Sequence, residues 1–172
     1  MPEFEPLAIL SVLAAHRVSC IVIGGWAARS YGSPLLTTDI DVVPDLERDN
    51  MRRLSEALCE LDAKARNGEE EPLPFAHDAT SLASAAFWNL TTKYGDLDIS
   101  LCPSGTEGYP DLRAGALHLV VEGVTFDVAS LADVIRSKEA AGRDKDRRAL
   151  PILRELLAEQ LRRKRGAQTE PS

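Results

Sequence analysis

Apolar and polar positions in the first part of the chain change from helical to strand spacing. Apolar residues from Phe4 to Arg17 recur at helical spacing and predict an amphipathic helix. Cys20–Ile23 is a continuous apolar run of mostly β-branched residues, which predicts a buried strand that ends in a tight turn at Gly24-Gly25. A short helix is expected from Trp26 to Tyr31, because a Gly-Ser-Pro sequence follows it.

A second strand and a second long helix are predicted after this turn. Thr38–Val43 alternates polar and apolar residues up to a proline, which indicates a half-buried strand. Asp45–Leu61 carries an apolar stripe at helical spacing and predicts a helix. Asn67–Pro74 is rich in Gly, Glu and Pro, so we expect an exposed loop there.

Two hairpins are predicted in the next part of the chain. One is expected from Ala85–Thr92 and Leu97–Leu101, which are separated by a short turn that contains glycine. The other is expected from Leu117–Val121 and Val124–Val128, which flank the two-residue turn Glu122-Gly123. These segments bring the number of predicted strands to six.

The remaining elements are helical and complete an α+β pattern. Ser130 is placed to cap a helix that Gly142 ends, and a last helix is expected from about Asp144 to about Arg163. We expect a mixed β-sheet of about five or six strands flanked by helices, with helices at the C-terminal end. A single domain is expected over residues 1–165 and a disordered tail over residues 166–172.

Charge is distributed unevenly along the 172 residues. The formal net charge of −7 argues against general binding to polyanions. Basic residues are nevertheless concentrated near the C-terminus, where two interpretations stay open: a positive face for a phosphate-rich ligand, or a solvated helix face and tail. These residues are Arg136, Lys138, Arg143, Lys145, Arg147, Arg148, Arg154, Arg162, Arg163, Lys164 and Arg165.

The chain has no predicted membrane segment. Leu7–Leu13 is too short to span a bilayer, and no comparable apolar run follows it. Cys20, Cys59 and Cys102 lack the paired spacing of a zinc site and are odd in number. We therefore expect a cytoplasmic protein with reduced thiols and no membrane partner.

Three aspartates carry the candidate chemistry. Residues two apart on a strand share a face, so Asp39 and Asp41 are expected side by side, with Cα atoms about 6.5 Å apart. Asp98 alternates with apolar residues in a second predicted strand and so offers a third carboxylate. Clustered carboxylates raise each other's pKa or bind a cation, and Mg²⁺ prefers such oxygens together with substrate phosphates. On its own, an Asp-x-Asp pair is also typical of a solvated strand end.

Gly24-Gly25 adds a second indication of phosphate chemistry. A glycine turn that follows a buried strand lets backbone N–H groups approach phosphate oxygens closely. The same pair also fits a plain tight turn.

These motifs resemble those of the nucleotidyltransferase superfamily typified by DNA polymerase β-like enzymes. In that family a Gly-Gly or Gly-Ser pair and a helix precede Asp-x-Asp, as Gly24-Gly25 precedes Asp39-Ile40-Asp41 here. The Gly-Gly-Trp-Ala start is similar to aminoglycoside nucleotidyltransferases and to AbiEii/MenT-type bacterial toxins. Ser130–Lys138 and Arg143–Asp146 are similar to the closing motifs of the toxin-type members. The resemblance extends from Cys20 to about Leu153 and implies the nucleotidyltransferase fold.

The resemblance also implies a metal cofactor and catalytic residues. Asp39, Asp41 and Asp98 would hold Mg²⁺ or Mn²⁺, and Asp98 would help to activate the attacking hydroxyl. Lys138 would neutralise charge on the phosphates in the transition state, and Asp146 would position Lys138 or a group near the base. As an alternative, Lys138 is a surface cation near a helix C-terminus.

The nucleotide-binding set implied by the resemblance contains two departures from the family. Gly24, Gly25 and Thr38 would contact the triphosphate together with Lys138 and Asp146. Many members have Ser where this chain has Gly25. Leu36 stands where many relatives have Arg, which leaves two alternatives: one phosphate contact is missing, or Arg29 supplies it.

The acceptor of the nucleotide is not determined by the sequence. The resemblance leaves an RNA or tRNA end, a protein hydroxyl and a small drug-like hydroxyl open. A compact chain with a basic final helix favours the toxin of a toxin–antitoxin pair, with an antitoxin as partner. An aminoglycoside acceptor would need an acidic pocket, for which Glu69-Glu70-Glu71 is a candidate. A different class is an inactive relative that binds a nucleotide or a partner, against which the retention of all three aspartates argues.

Overall fold

The computed structural model describes residues 3–68, 71–74 and 76–168. Its strands are β1 (Cys20–Ile23), β2 (Asp39–Pro44), β3 (Lys64–Ala65), β4 (Leu73–Pro74), β5 (Phe87–Thr92), β6 (Gly95–Ser100), β7 (Leu117–Val121) and β8 (Val124–Val128). Its helices are α1 (Pro6–Ala15), α2 (Gly24–Ser30), α3 (Arg48–Glu60), α4 (Ala79–Leu82), α5 (Tyr109–Gly115), α6 (Leu131–Ala141) and α7 (Asp144–Gln168).

The eight strands form one mixed sheet in the order β4-β3-β5-β6-β2-β1-β8-β7. β2 is parallel to β6 and β1 is parallel to β8, while the other neighbours are antiparallel. In the centre of the sheet, β2 therefore has two different neighbours: β1, which is antiparallel and close in sequence, and β6, which is parallel and distant in sequence. This arrangement brings the two acidic segments of the sequence together.

Side-chain alternation separates a core face from a polar face in β2 and β6. Ile40, Val42, Leu97 and Ile99 are buried in the hydrophobic core. The residues between them are aspartates that are only partly buried, because successive side chains on a strand point to opposite faces. Burial of the apolar set thus directs the carboxylates to the other side of the sheet.

The long helices and the last hairpin lie where the sequence predicts them. β1, β7 and β8 have the expected bounds, and α6 begins after Ser130, whose hydroxyl accepts a hydrogen bond from the Asp133 backbone N–H. Gly142 ends α6 in the left-handed conformation, as its position predicts. α2 begins at Gly24 rather than at Trp26, so the helix follows β1 without an intervening loop.

The sheet has eight strands in the part of the chain that the structure describes, so the expectation of about five or six was wrong. The additional strands β3 and β4 contain two residues each, which is too short for a visible period of two. β4 lies inside Asn67–Pro74, where we expected only an exposed loop, and it pairs with β3. α4 and α5, of four and seven residues, were also not predicted.

The C-terminal helix continues beyond its predicted end. α7 extends to Gln168, whereas the sequence predicted helix to about Arg163 and disorder from residue 166. The predicted tail beyond this helix, residues 169–172, lies outside the described residues. No helix in the described part of the chain is both long enough and apolar enough to cross a membrane.

A buried asparagine joins the outer ends of β1 and β2. Asn50 on α3 is 1% exposed, and its Oδ1 accepts a hydrogen bond of 2.7 Å from the Ser19 N–H. Its Nδ2 donates to the carbonyl oxygens of Ser19 at 2.9 Å and Asp45 at 2.8 Å. Since Ser19 precedes β1 and Asp45 follows β2, this one side chain fixes the two strands on which the candidate site depends.

Replacement of Asn50 by Leu is therefore expected to destabilise the fold. The variant removes all three hydrogen bonds, although the Ser19 carbonyl oxygen keeps the one that it accepts from the Asp45 N–H at 3.0 Å. We expect this loss to lower the free energy of unfolding by about 2–4 kcal/mol. Urea denaturation measures this difference. The neighbouring Asp49→Asn, on the exposed face of α3, serves as the control and should stay within about 0.5 kcal/mol of wild type.

Candidate active site

The predicted carboxylates lie together on the polar face of the sheet. The parallel register of β2 and β6 places Asp41 opposite Asp98 and Asp39 opposite Asp96. Asp39, Asp41 and Asp98 all line one cavity of about 890 Å³. The structure thus brings together the three residues that the sequence analysis selected.

Gly24 lies directly against the Asp41 carboxylate. β1 pairs with β2 so that Ile23 is opposite Asp41, and Gly24 is the next residue, with a φ of +73°. A Cβ atom at position 24 would lie 2.1 Å from Asp41 Oδ2, a distance that no side chain can occupy. The glycine is required both by this contact and by its left-handed backbone conformation.

Asp41 and Asp98 hold their protons more tightly than ordinary aspartates do. Burial raises the pKa of Asp41 to about 7, with further contributions from the charges of Asp39 and Asp98, while Lys145 and Lys138 oppose the shift. Burial also raises the pKa of Asp98, although Arg66 opposes that shift. Carboxylates in this state are stabilised by an additional positive charge.

Thr37 positions Asp39 and occupies the space beside Gly25. Its hydroxyl donates a hydrogen bond of 2.9 Å to Asp39 Oδ1. A Cβ atom on Gly25 would lie 2.9 Å from Thr37 Oγ1 and 3.0 Å from Thr37 Cβ. The departure from the Gly-Ser form of the motif therefore has a steric reason here, because Thr37 fills the position that a side chain at 25 would enter.

Basic side chains form a second part of the cavity lining, the basic wall. Lys138 from α6 donates to Asp146 Oδ1 at 3.1 Å, and Arg143 Nε donates to Asp146 Oδ2 at 2.6 Å. Asp146 is completely buried; burial alone would raise its pKa, but the hydrogen bonds from Arg143 and Lys138 hold the pKa below its usual value. Lys145 and Arg148 line the same wall.

Arg66 is a site residue that sequence analysis missed. Its guanidinium pairs with Asp98 through Nη2 and with Asp96 through Nη1 at 3.2 Å. Its Nε also donates to the Leu90 carbonyl oxygen at 3.2 Å. Arg66 follows the two-residue strand β3, a segment without a periodic pattern, so no sequence signal connected it with the aspartates.

The predicted metal ligands are not arranged as a complete cage. No three His, Cys, Asp or Glu side chains among the described residues are grouped so that they could hold a metal ion by themselves. Mg²⁺ commonly takes one or two carboxylates together with waters and substrate phosphates, and Asp39 and Asp41 fit that pattern. Asp98 as a metal ligand stays a prediction.

Thr38 and Arg29, two other predicted nucleotide contacts, differ in whether they line the cavity. Thr38 lines the cavity, as expected for a nucleotide contact. Arg29 does not line it; its exposed guanidinium instead lies 3.3 Å from the Leu35 carbonyl oxygen. Among the aromatic residues, Phe87 lines the cavity and is 64% exposed, whereas Trp26 and Trp88 pack against the core.

Glu69-Glu70-Glu71, the candidate acidic subsite for a cationic acceptor, is described only at Glu71, which does not line the main cavity. Glu71 lines a separate depression with Asp62, Lys64 and Thr91, and Glu69 and Glu70 lie outside the described residues. Among the described residues that line the main cavity, Asp39, Asp41 and Asp98 are the only carboxylates. A polycationic acceptor therefore finds no acidic subsite there apart from these three.

Comparison with solved structures identifies the fold. The lincosamide antibiotic adenylyltransferase LnuA, solved with lincomycin bound, superposes with a TM-score of 0.61 at 14% identity, over 91% of this chain and 99% of that one. A Thermotoga maritima protein with a provisional nucleotidyltransferase assignment gives a TM-score of 0.54 at 20% identity, over 88% and 89% of the two chains. ANT(2″)-Ia, in complex with adenylyl-2″-tobramycin, gives 0.55 at 16% identity, over 92% and 91%.

Sequence comparison adds nothing to this result. No protein-family model matches the chain, and no curated protein matches it by sequence. At these low identities the structural similarity shows the fold alone. This fold agrees with the order of the motifs along the sequence. The chain has the nucleotidyltransferase fold.

Proposed function

We propose that this protein transfers a nucleoside monophosphate from an NTP to a hydroxyl acceptor. One observation carries the proposal: Asp39, Asp41 and Asp98 line one cavity together with Gly24, Lys138 and Lys145. An acidic wall suits a divalent cation, and a basic wall suits the phosphates of a nucleotide.

The two walls divide the binding of the nucleotide between them. Asp39 and Asp41 are proposed to hold Mg²⁺ or Mn²⁺, which when bound would neutralise phosphate charge and orient the α-phosphate. The raised pKa of Asp41 supports this role, because a nearby divalent ion stabilises the charged carboxylate. Gly24 and Gly25 line the same cavity as Lys138 and Lys145, and their backbone N–H groups are proposed to contact the phosphates.

The proposed reaction forms one bond and breaks one bond at the α-phosphorus. The acceptor oxygen bonds to this phosphorus, and the bond from phosphorus to the bridging oxygen of the pyrophosphate breaks. Pyrophosphate leaves with the electron pair, and the hydroxyl proton passes to the Asp98 carboxylate. Lys138 and Lys145 stabilise the charge that develops on the leaving group.

We propose an RNA or tRNA end, or a protein hydroxyl, as the first acceptor to test. The basic wall formed by Lys138, Arg143, Lys145 and Arg148 supports an acceptor or nucleotide that brings negative charge. The absence of further carboxylates among the described lining residues argues against a polycationic aminoglycoside. A neutral small-molecule hydroxyl is the alternative, supported by the superposition on almost all of LnuA.

The biological role that we propose is that of a toxin in a toxin–antitoxin pair, acting in the cytoplasm. The resemblance of Ser130–Lys138 and Arg143–Asp146 to toxin-type motifs supports it, and the side-chain contacts of these segments agree with it: Asp146 joins Lys138 to Arg143. An antitoxin would be the partner. The competing role is that of an inactive relative, which would bind an NTP without transferring it.

Asp41→Asn is expected to abolish transfer without unfolding the protein. Purified wild type and variant are incubated with Mg²⁺, each α-³²P-labelled NTP, and total tRNA, the protein itself or small antibiotics as acceptors. We expect label on one acceptor and at least a roughly 100-fold loss in the variant, because Asp41 holds the metal. Asp127→Asn, a carboxylate on β8 paired only with His118 among the described contacts, is the matched control.

The outcomes of this experiment separate the proposed roles. Equal label with Asp41→Asn and wild type would refute the proposed chemistry. NTP binding without transfer to any acceptor would favour the inactive relative. Induced expression of the same two proteins tests the toxin role: wild type should arrest growth, and the role is excluded if Asp41→Asn arrests growth equally.

The raised pKa of Asp41 predicts an unusual pH dependence of stability without metal. The folded protein keeps a proton on Asp41 between about pH 4 and pH 7 that the unfolded chain has released, so the free energy of unfolding falls as pH rises through this window. Since one pKa unit corresponds to about 1.4 kcal/mol, Asp41→Asn should be more stable than wild type by a few kcal/mol above pH 7. Below about pH 4 the two should be equal.

Urea denaturation in a chelator at pH 4 and pH 8 measures this difference. Mg²⁺ added at pH 8 should raise the stability of wild type but not that of Asp41→Asn, because only the folded wild type binds the ion at this site. A variant less stable than wild type at pH 8 in chelator would contradict the prediction.

Gly24→Ala is expected to inactivate the site through Asp41. The new methyl group would overlap Asp41 Oδ2, so the carboxylate must move away from its position. We expect transfer to fall by roughly 100-fold or more. Gly123→Ala is the matched control, because Gly123 has a similar φ of +80° but open space around it. Both variants should lose about 1–2 kcal/mol of stability from backbone strain, whereas only Gly24→Ala should lose activity.

A further inference from the structure

Arg66 makes more contacts on the polar face of the sheet than a structural ion pair needs. Its backbone N–H donates to the Asn89 carbonyl oxygen at 2.8 Å, which fixes the residue against β5. Its side chain then crosses β5, donates through Nε to Leu90 and reaches two carboxylates on β6. Both nitrogens of the guanidinium fork and Nε are therefore used.

The two carboxylates that Arg66 contacts differ in their surroundings. Asp96 is fixed at both oxygens, because Thr91 Oγ1 donates to its Oδ1 at 2.7 Å and Arg66 contacts its Oδ2. Among the contacts between described residues, Asp98 is held at Oδ1 alone. Asp98 lines the cavity, whereas Asp96 is not among the residues that line it. Asp96 thus serves as a fixed anchor for Arg66, and Asp98 is the group that Arg66 orients.

We propose that Arg66 is a positioning residue, which holds Asp98 by Oδ1 and leaves Oδ2 directed to the acceptor hydroxyl. This inference rests on the proposed function. Asp39 and Asp41 make no ion pair with any residue that the structure describes and remain available to the metal, so Arg66 divides three similar carboxylates into two roles. A guanidinium suits this task because its planar fork fixes direction as well as charge.

A positioning role makes a different prediction from a purely structural one. Loss of Arg66 would leave Asp98 in several rotamers, which lowers the rate of the chemical step but not the binding of the NTP. We expect Arg66→Met to lower kcat by roughly 10- to 100-fold, with the KM for NTP within about threefold of wild type. Arg66→Lys should recover part of the loss, since it restores a cation without the fork.

A double-mutant cycle tests whether Arg66 acts through Asp98. In an Asp98→Asn background, Arg66→Met should cause no further loss of kcat, because the group that it orients is already gone. Arg52→Met is the matched control: Arg52 is an exposed arginine on α3 that pairs with Glu56 at 2.6 Å, and its loss should leave kcat unchanged.

Crystal structures of wild type and Arg66→Met test the same inference without activity. The Asp98 carboxylate should leave its wild-type rotamer in the variant while the backbone of β6 stays in place. An unchanged Asp98 rotamer overturns the proposal, as does a kcat equal to or above that of wild type, or losses that multiply in the double variant. Failure of the proposed function would differ from all of these, since Asp41→Asn would then be as active as wild type.

Discussion

The parallel pairing of β2 with β6 is the constraint on which the candidate site depends. In this register Asp41 lies opposite Asp98, although 57 positions separate them in the sequence numbering. A shift of one residue would turn the carboxylates toward the core and the apolar residues toward the cavity, because side chains alternate along a strand. Burial of four apolar side chains therefore determines both the core packing and the side of the sheet on which the carboxylates lie. These residues are Ile40, Val42, Leu97 and Ile99.

The acidic face is unfavourable for folding in the absence of a ligand. Carboxylates on adjacent strands repel one another and are partly removed from water, which is why the pKa of Asp41 rises to about 7. Arg66 relieves this repulsion at β6, and β2 has no equivalent cation in direct contact within the described residues. Local instability of this kind is typical of sites that bind a charged partner, and the rest of the core compensates for it.

The sequence predicted most of the elements and the three aspartates, because both depend on short-range periodicity. β1, β7 and β8 were correct to the residue, and alternation placed Asp41 and Asp98 on a common face before their register was known. The two-residue strands β3 and β4 carry too little sequence for such a pattern. Arg66 and Thr37 were missed for a related reason, because each acts through contacts that only the tertiary fold creates. The Arg66 side chain crosses β5, and the Thr37 side chain packs beside Gly25.

The buried Asp146 lowers the entropy cost of binding a triphosphate. Long basic side chains are usually mobile, and each loses about 1.5–2 kcal/mol of rotamer entropy when a ligand immobilises it. Lys138 and Arg143 are already restrained by hydrogen bonds to Asp146, so folding has ordered them before any nucleotide arrives. A phosphate that meets these two cations gains electrostatic attraction with little further ordering, whereas Lys145, which makes no ion pair with any described residue, would still have to be immobilised.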